Sequence, residues 1–279
     1  MRIINNLALL TLLTLGLSAC AVTRVGDSLP YGILNNDDVE LVADGLPTYL
    51  LMVDGLIVNW PRSEDLLRSG ASLYGAYAGL VVEEPERQRA LSAKALGYAE
   101  RAACSRRKTL CEVRGMSVPR LEEALDGTRK RDVAALYTLG VTWAGYVQAH
   151  SDDWNAVADL ARVRVILDRV VTLDERHEHG QATMYLAVLD SLLPEALGGH
   201  PAASRMHFER AIELSDGRNL LAKVLFAERY ARMAGDQALH DELLQQVLDA
   251  DPEEHGLTLQ NTFARKEAER LLAESADYF

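Results

Sequence analysis

Positive charge is in short supply: 29 Lys and Arg stand against 41 Asp and Glu, a net charge of −12. Proteins that grip phosphates need a basic footprint to displace counterions, so nucleic acid is excluded as a partner. Docking on anionic lipid by charge alone is excluded for the same reason. Glycine and proline, at 19 and 8 residues, are too few for a low-complexity or collagen-like chain. Aromatic residues are only 6% of the 279, and the alternation of polar and apolar residues that marks a strand is missing. Catalytic signatures are missing too. There is no Gly-x-Ser-x-Gly elbow, no phosphate loop and no dinucleotide fingerprint, so no cofactor is expected. What remains is ample apolar content, 48%, dominated by Leu and Ala. That is enough buried area to offset chain entropy, and it points to an all-α protein.

The first residues read as an address. Arg2 precedes an apolar stretch from Leu7 to Leu17, long enough for export and too short to span a bilayer. It ends in Leu17-Ser18-Ala19-Cys20, the small-residue cleavage site of a bacterial lipoprotein, with Cys20 as the lipidated residue. Residues 1–19 are thus expected to be a signal peptide. Two or three acyl chains on Cys20 would anchor the chain firmly, at roughly 0.8 kcal/mol per buried CH₂. Ala21 in place of Asp favours the outer membrane, on the periplasmic side. Residues 20–36, with Gly26, Pro30, Gly32, Asn35 and Asn36, are expected to be a flexible tether, with Asn35 to Asp38 as helix caps. Residues 37–279 form the folded domain.

That domain reads as helix after helix. Pro47 opens a buried helix running to Val58. Ser63 caps a second, with Leu66, Leu73, Tyr77 and Leu80 on one face. Pro85 starts a third. From about Arg131 a long helix carries Leu136, Leu139, Gly140, Trp143 and Val147 on one stripe. Three later stretches resemble one another: Leu167 and Val170, Phe208 and Ala211, Leu244 and Val247, each pair followed by an acidic turn. They recur 41 and 36 residues apart. This matches the second helix of a tetratricopeptide repeat, in which the large residue packs on its own pair and the small one admits the neighbour. The architecture expected is antiparallel helix pairs stacked as degenerate tetratricopeptide-like repeats, an α-solenoid.

Cys104 and Cys111 are the only cysteines beyond Cys20. In an oxidising envelope an even pair favours a bridge. On one unbroken helix seven residues rise about 10.5 Å, whereas a disulfide holds Cα atoms roughly 4.4–6.8 Å apart. Either the third helix ends near Cys104 and a bridge closes a short loop, or two thiols lie on a continuous helix. The polar run Ser105-Arg106-Arg107-Lys108 favours the break. His177 and His179 are spaced i, i+2, which does not place two ligands on one helix face, so they read as an interhelical turn and no metal is expected. Gly198-Gly199 reads as a bend between helices. Gly217 ends one helix and Asn219 caps the next; alternatively Arg218 and Asn219 present a polar cluster at a repeat edge, where a partner would bind.

The string from Pro194 to Val224, with Gly198-Gly199, Phe208-Glu209-Arg210-Ala211 and Gly217-Arg218-Asn219, resembles the TatT family. So do Asp132 to Tyr137, Trp143 to Tyr146, and Asn261 to Phe279. These are the lipoprotein T components of tripartite ATP-independent periplasmic (TRAP) transporters. The resemblance implies a non-catalytic, tetratricopeptide-like lipoprotein that associates with a periplasmic solute-binding protein. It also implies homo-oligomers that enclose an apolar cavity, with an apolar ligand. The alternative is a helical-repeat scaffold that organises envelope complexes and holds no small molecule.

Overall fold

The structure, a computed structural model, describes residues 32–193, 195–197 and 199–279. The expected signal peptide, Cys20 and most of the expected tether lie outside the described residues, as does Gly198 of the expected Gly-Gly bend. Among the described residues there is no strand.

The helices follow in order. They are α1 (Val39–Asn59), α2 (Glu64–Leu80), α3 (Pro85–Arg106), α4 (Val118–Asp126), α5 (Val133–Ala149), α6 (Trp154–Ala158), α7 (Leu160–Asp174), α8 (Gln181–Asp190) and α9 (Pro201–Leu214). After these come α10 (Leu220–Leu225), a π-helical turn (Phe226–Ala231), α11 (Arg232–Ala234), α12 (Gln237–Asp249), α13 (Thr258–Ala273) and α14 (Ser275–Tyr278). Capping follows side-chain chemistry. Asp38, Ser63, Asp153 and Asp236 each accept a backbone N–H of the helix they open. Helices near in sequence pack on one another, α2 on α3, α5 on α7, α8 on α9 and α12 on α13. The stripe Leu136, Leu139, Gly140, Trp143 and Val147 is buried throughout. So are the repeat positions Leu167, Val170, Phe208, Ala211, Leu244 and Val247. A Cβ on Gly140 would lie 2.7 Å from Leu167 Cδ2, so the α5–α7 approach needs glycine there.

Three sequence expectations change. First, α1 does not begin at Pro47. It begins at Val39 and carries Pro47 inside it. The proline removes only one ladder bond, and a buried face of Val42, Leu46, Leu50, Val53 and Ile57 holds the helix on both sides of it. Second, the buried face of α2 is Leu67, Gly70, Ala71, Tyr74, Tyr77 and Ala78; Leu66 and Leu73 are only half-buried and Leu80 is exposed. The small residues at 70, 71 and 78 are what let α3 come close, and a reading of large side chains alone passes over them. Third, the far end of the expected tether belongs to the folded body. Asn35 Oδ1 accepts from Gly256 N–H at 2.8 Å, and Glu40 pairs with Lys266. Helix α13 touches α1, and Leu259 joins the apolar cluster under α1. The two ends of the helical array therefore meet.

Helix α1 is also pinned by polar contacts. The Asp54 carboxylate accepts from the hydroxyls of Tyr74 and Tyr98, both at 2.7 Å, and from the Lys94 ammonium. Burial opposes its ionisation, but these three donors outweigh that and hold Asp54 below the usual carboxylate range. Burial together with the adjacent carboxylate pushes the Tyr98 phenol up to about 12.

Helix α3 ends at Arg106, and Cys104 and Cys111 are bridged with Cα atoms 4.4 Å apart. The bridge closes a loop that holds one short 3₁₀ turn, Lys108–Leu110, and a second, Val113–Gly115, follows just after Cys111. Leu110 and Val113 drop from these two turns into the core.

Candidate functional site

The sequence singles out Arg218 and Asn219 as a polar edge. The structure separates them. Arg218 is exposed, its guanidinium 2.8 Å from the Glu254 carboxylate. Asn219 is fully buried: its Oδ1 accepts from Gln260 at 2.8 Å and its amide faces the Met184 sulfur at 3.9 Å. Nor does Asn219 cap α10 with its side chain. Asn261 does so from α13: its Oδ1 accepts Leu220 N–H at 3.0 Å, and its amide donates to the Arg218 and Pro252 carbonyls. The reason is that α13 closes over this edge and buries it. Asn219 and Asn261 thus form an internal lock, and Arg218 alone faces solvent. His207 lies 2.8 Å from the buried Asp190 carboxylate.

The most unusual local geometry lies at the elbow between α7 and α8. Glu178 (φ 47°), His179 (φ 55°) and Gly180 (φ 75°) are left-handed in succession. Left-handed backbone costs roughly 1–2 kcal/mol at each non-glycine residue, so the surroundings must impose it. Two contacts from α9 do so. Arg210 grips Glu175 with both its Nε (2.8 Å) and Nη2, and Leu214 sits against Gly180. Hydrogen bonds from Arg210 hold Glu175 below the usual carboxylate range. Arg176 also donates to the Leu214 carbonyl.

The elbow sets His177 edge-on against Tyr137 of α5, ring centres 5.2 Å apart. The Tyr137 hydroxyl donates to Gln181 Oε1 at 2.8 Å. Burial raises the phenols of both Tyr137 and neighbouring Tyr185, so neither ionises near neutrality. Tyr185 packs against both large apolar clusters, one built on α3, α5 and α7 and the other on α9 to α13. Three polar atoms on the elements meeting here are sealed from water and hydrogen-bonded to nothing: His177 Nε2, Arg68 Nε of α2 and Thr183 Oγ1 of α8. Such orphans cost about 1–3 kcal/mol each, so they are rare without a purpose. Burial pushes the His177 imidazole below its ordinary value. Glu178 and Asp174 oppose that shift, and Arg68 and Lys130 add to it.

A stability consequence follows. The unfolded chain binds a proton at His177 near pH 6.5, whereas the folded chain does so only at lower pH. The contribution is therefore intact above about pH 6.5 and is lost as pH falls toward the depressed folded value. Replacing His177 with Phe is expected to flatten the acid limb of stability, read as urea midpoints at successive pH values. Equal slopes in the two proteins would remove His177 as the cause.

Chemically the elbow offers aromatic walls and unspent hydrogen-bonding edges, and brings no nucleophile to a base. Among the described residues no group of three His, Cys, Asp or Glu converges as metal ligands. Two surface depressions, of about 790 Å³ beside the disulfide loop and about 210 Å³ between α4 and α7, are open to solvent. Neither is an enclosed apolar chamber. The sequence showed His177 and His179 only as a turn, and positive φ at Glu and His has no signature in residue type.

A model of the TRAP transporter T-component family matches residues 35–279. A protein of Treponema pallidum (strain Nichols), described only as uncharacterized, is 26% identical over 265 residues, spanning 87% of this chain and 81% of its own.

Proposed function

The chain belongs to the TRAP transporter T-component family, and on that premise we propose that it is a non-catalytic accessory that binds a periplasmic solute-binding protein. The observation that carries this reading is the extent of the match. It takes in the described body from Asn35, which is bonded to Gly256, through the last helix. In this reading the chain is lipidated at Cys20 and held on the periplasmic side of the outer membrane. Exposed Arg218, paired with Glu254, marks the edge that meets the partner, and the aromatic elbow at Tyr137, His177 and Tyr185 is the place for a small apolar molecule with a polar end.

The test is calorimetry and gel filtration with a TRAP solute-binding protein encoded beside this chain. A complex with Kd of about 1 μM or tighter, equivalent to about −8 kcal/mol, is expected. Arg218→Glu reverses a charge at an exposed rim and places it against Glu254, so association is expected to slow while the dissociation rate changes little. Absence of both heat and co-elution with the unaltered protein would reject the reading. Mass spectrometry of an organic extract of the purified protein addresses the small molecule separately.

A further inference from the structure

Helix α1 is apolar on two sides. Its inner side is buried in the core, as described above. Its outer side, read around the helix, begins with Glu40, Leu41, Asp44 and Thr48, turns apolar at Leu51, Met52, Gly55 and Val58, and ends at Asn59. Leu51 is 73% exposed and Val58 78%, and Trp60, just past the last turn, is 57% exposed. From Thr48 to Trp60 this outer side bears no charge. Among the described residues α1 is the one helix long and apolar enough to cross a membrane. It does not do so here, because its opposite side is committed to the core and Asp54 is tied to Tyr74, Tyr98 and Lys94. A helix whose free side is apolar has a surface still to cover.

We propose that the outer side of α1 rests in the surface of the bilayer that holds Cys20, fixing how the helical array stands on the membrane. The inference rests on the lipoprotein reading of Cys20. Three observations select the bilayer as occupant. Only 18 residues separate Cys20 from Val39, at most about 65 Å of chain, so a lipidated Cys20 keeps α1 within reach of the membrane at all times. Tethering of that kind gives effective concentrations of the order of millimolar, so a modest apolar stripe suffices. The stripe is also finished as interfacial helices are: Trp60 at its end, then exposed Arg62, with Arg101 hydrogen-bonded to the Pro61 carbonyl. A second copy of the chain fits less well, since each copy brings a charge of −12.

The experiment uses the mature lipidated protein in phosphatidylcholine vesicles whose acyl chains are brominated near the headgroup. Trp154→Phe removes the other exposed indole, and Trp143 is fully buried, so quenching reports Trp60. The expected result is strong quenching that falls several-fold in a Leu51→Glu, Val58→Glu double variant with unchanged helicity and intact lipidation. Acylated Cys20 with Trp60 unquenched overturns the proposal. So does chain-to-chain crosslinking through Met52→Cys with Trp60 unquenched, which assigns the stripe to a second copy. A mass spectrum showing no acyl chains on Cys20 instead overturns the reading beneath it.

Discussion

Gly180→Ala is expected to destabilise the protein by about 3 kcal/mol, the sum of two separable causes. Gly180 has φ 75°, a backbone conformation that costs a residue with a Cβ about 1–2 kcal/mol. A Cβ built there would also stand 2.7 Å from Leu214 Cβ, with Leu214 Cδ1 at 2.9 Å. Overpacking of that kind typically adds about 1–3 kcal/mol. Leu214 cannot move freely, because Arg176 donates to its carbonyl and the neighbouring turn is held by Arg210 on Glu175. Gly217 and Gly235 provide the control. Both have positive φ, at 74° and 66°, but a Cβ at either meets nothing within 4 Å. Alanine at those positions should show the backbone cost alone, about 1 kcal/mol. For a body of this size, 3 kcal/mol lowers Tm by about 6–12 °C. Urea midpoints of the three variants measure the difference, and a Gly180→Ala loss no larger than that of Gly217→Ala would mean that α9 does not clamp the elbow.

The contrast between these glycines shows what the sequence could and could not disclose. Gly217 was legible as a helix end because a glycine after an acidic turn is a local signal. Gly180 was not, because its requirement comes from Leu214, 34 residues away. The buried stripe on α5 and the three recurring pairs at 167, 208 and 244 were legible because they repeat with helical period. The meeting of the chain ends had no such signal, since Asn35 with Gly256 and Glu40 with Lys266 are single polar contacts across more than 200 residues. The place of Asn219 was hidden in the same way, whether as a cap or as part of an edge: only when α13 folds back does Asn261 take over the cap of α10 and bury Asn219. At the elbow, residue type pointed away from the answer, because Glu and His rarely adopt positive φ and only tertiary packing places them there.

Asp190→Ala is expected to be the other costly change, at about 3 kcal/mol. The Asp190 side chain is 2% exposed and joins three helices. From α8 it accepts the Arg164 guanidinium of α7 at 2.6 Å and meets His207 Nδ1 of α9 at 2.8 Å. Removing one partner from a buried ionic network leaves the other charge with its desolvation uncompensated, typically about 3–5 kcal/mol. Arg164 is 35% exposed and recovers part of its hydration, which brings the figure to the lower end of that range. The same carboxylate matters to Asp168, whose ionisation is opposed first by burial and also by the charge of Asp190, while Arg164 and His207 favour it. A double-mutant cycle of Asp190→Asn with Arg164→Met isolates the pair. Asparagine keeps an acceptor for His207 but removes the charge that Arg164 answers, so the two changes together should cost less than the sum of each alone. Strict additivity in urea midpoints would show that Arg164 does not depend on Asp190.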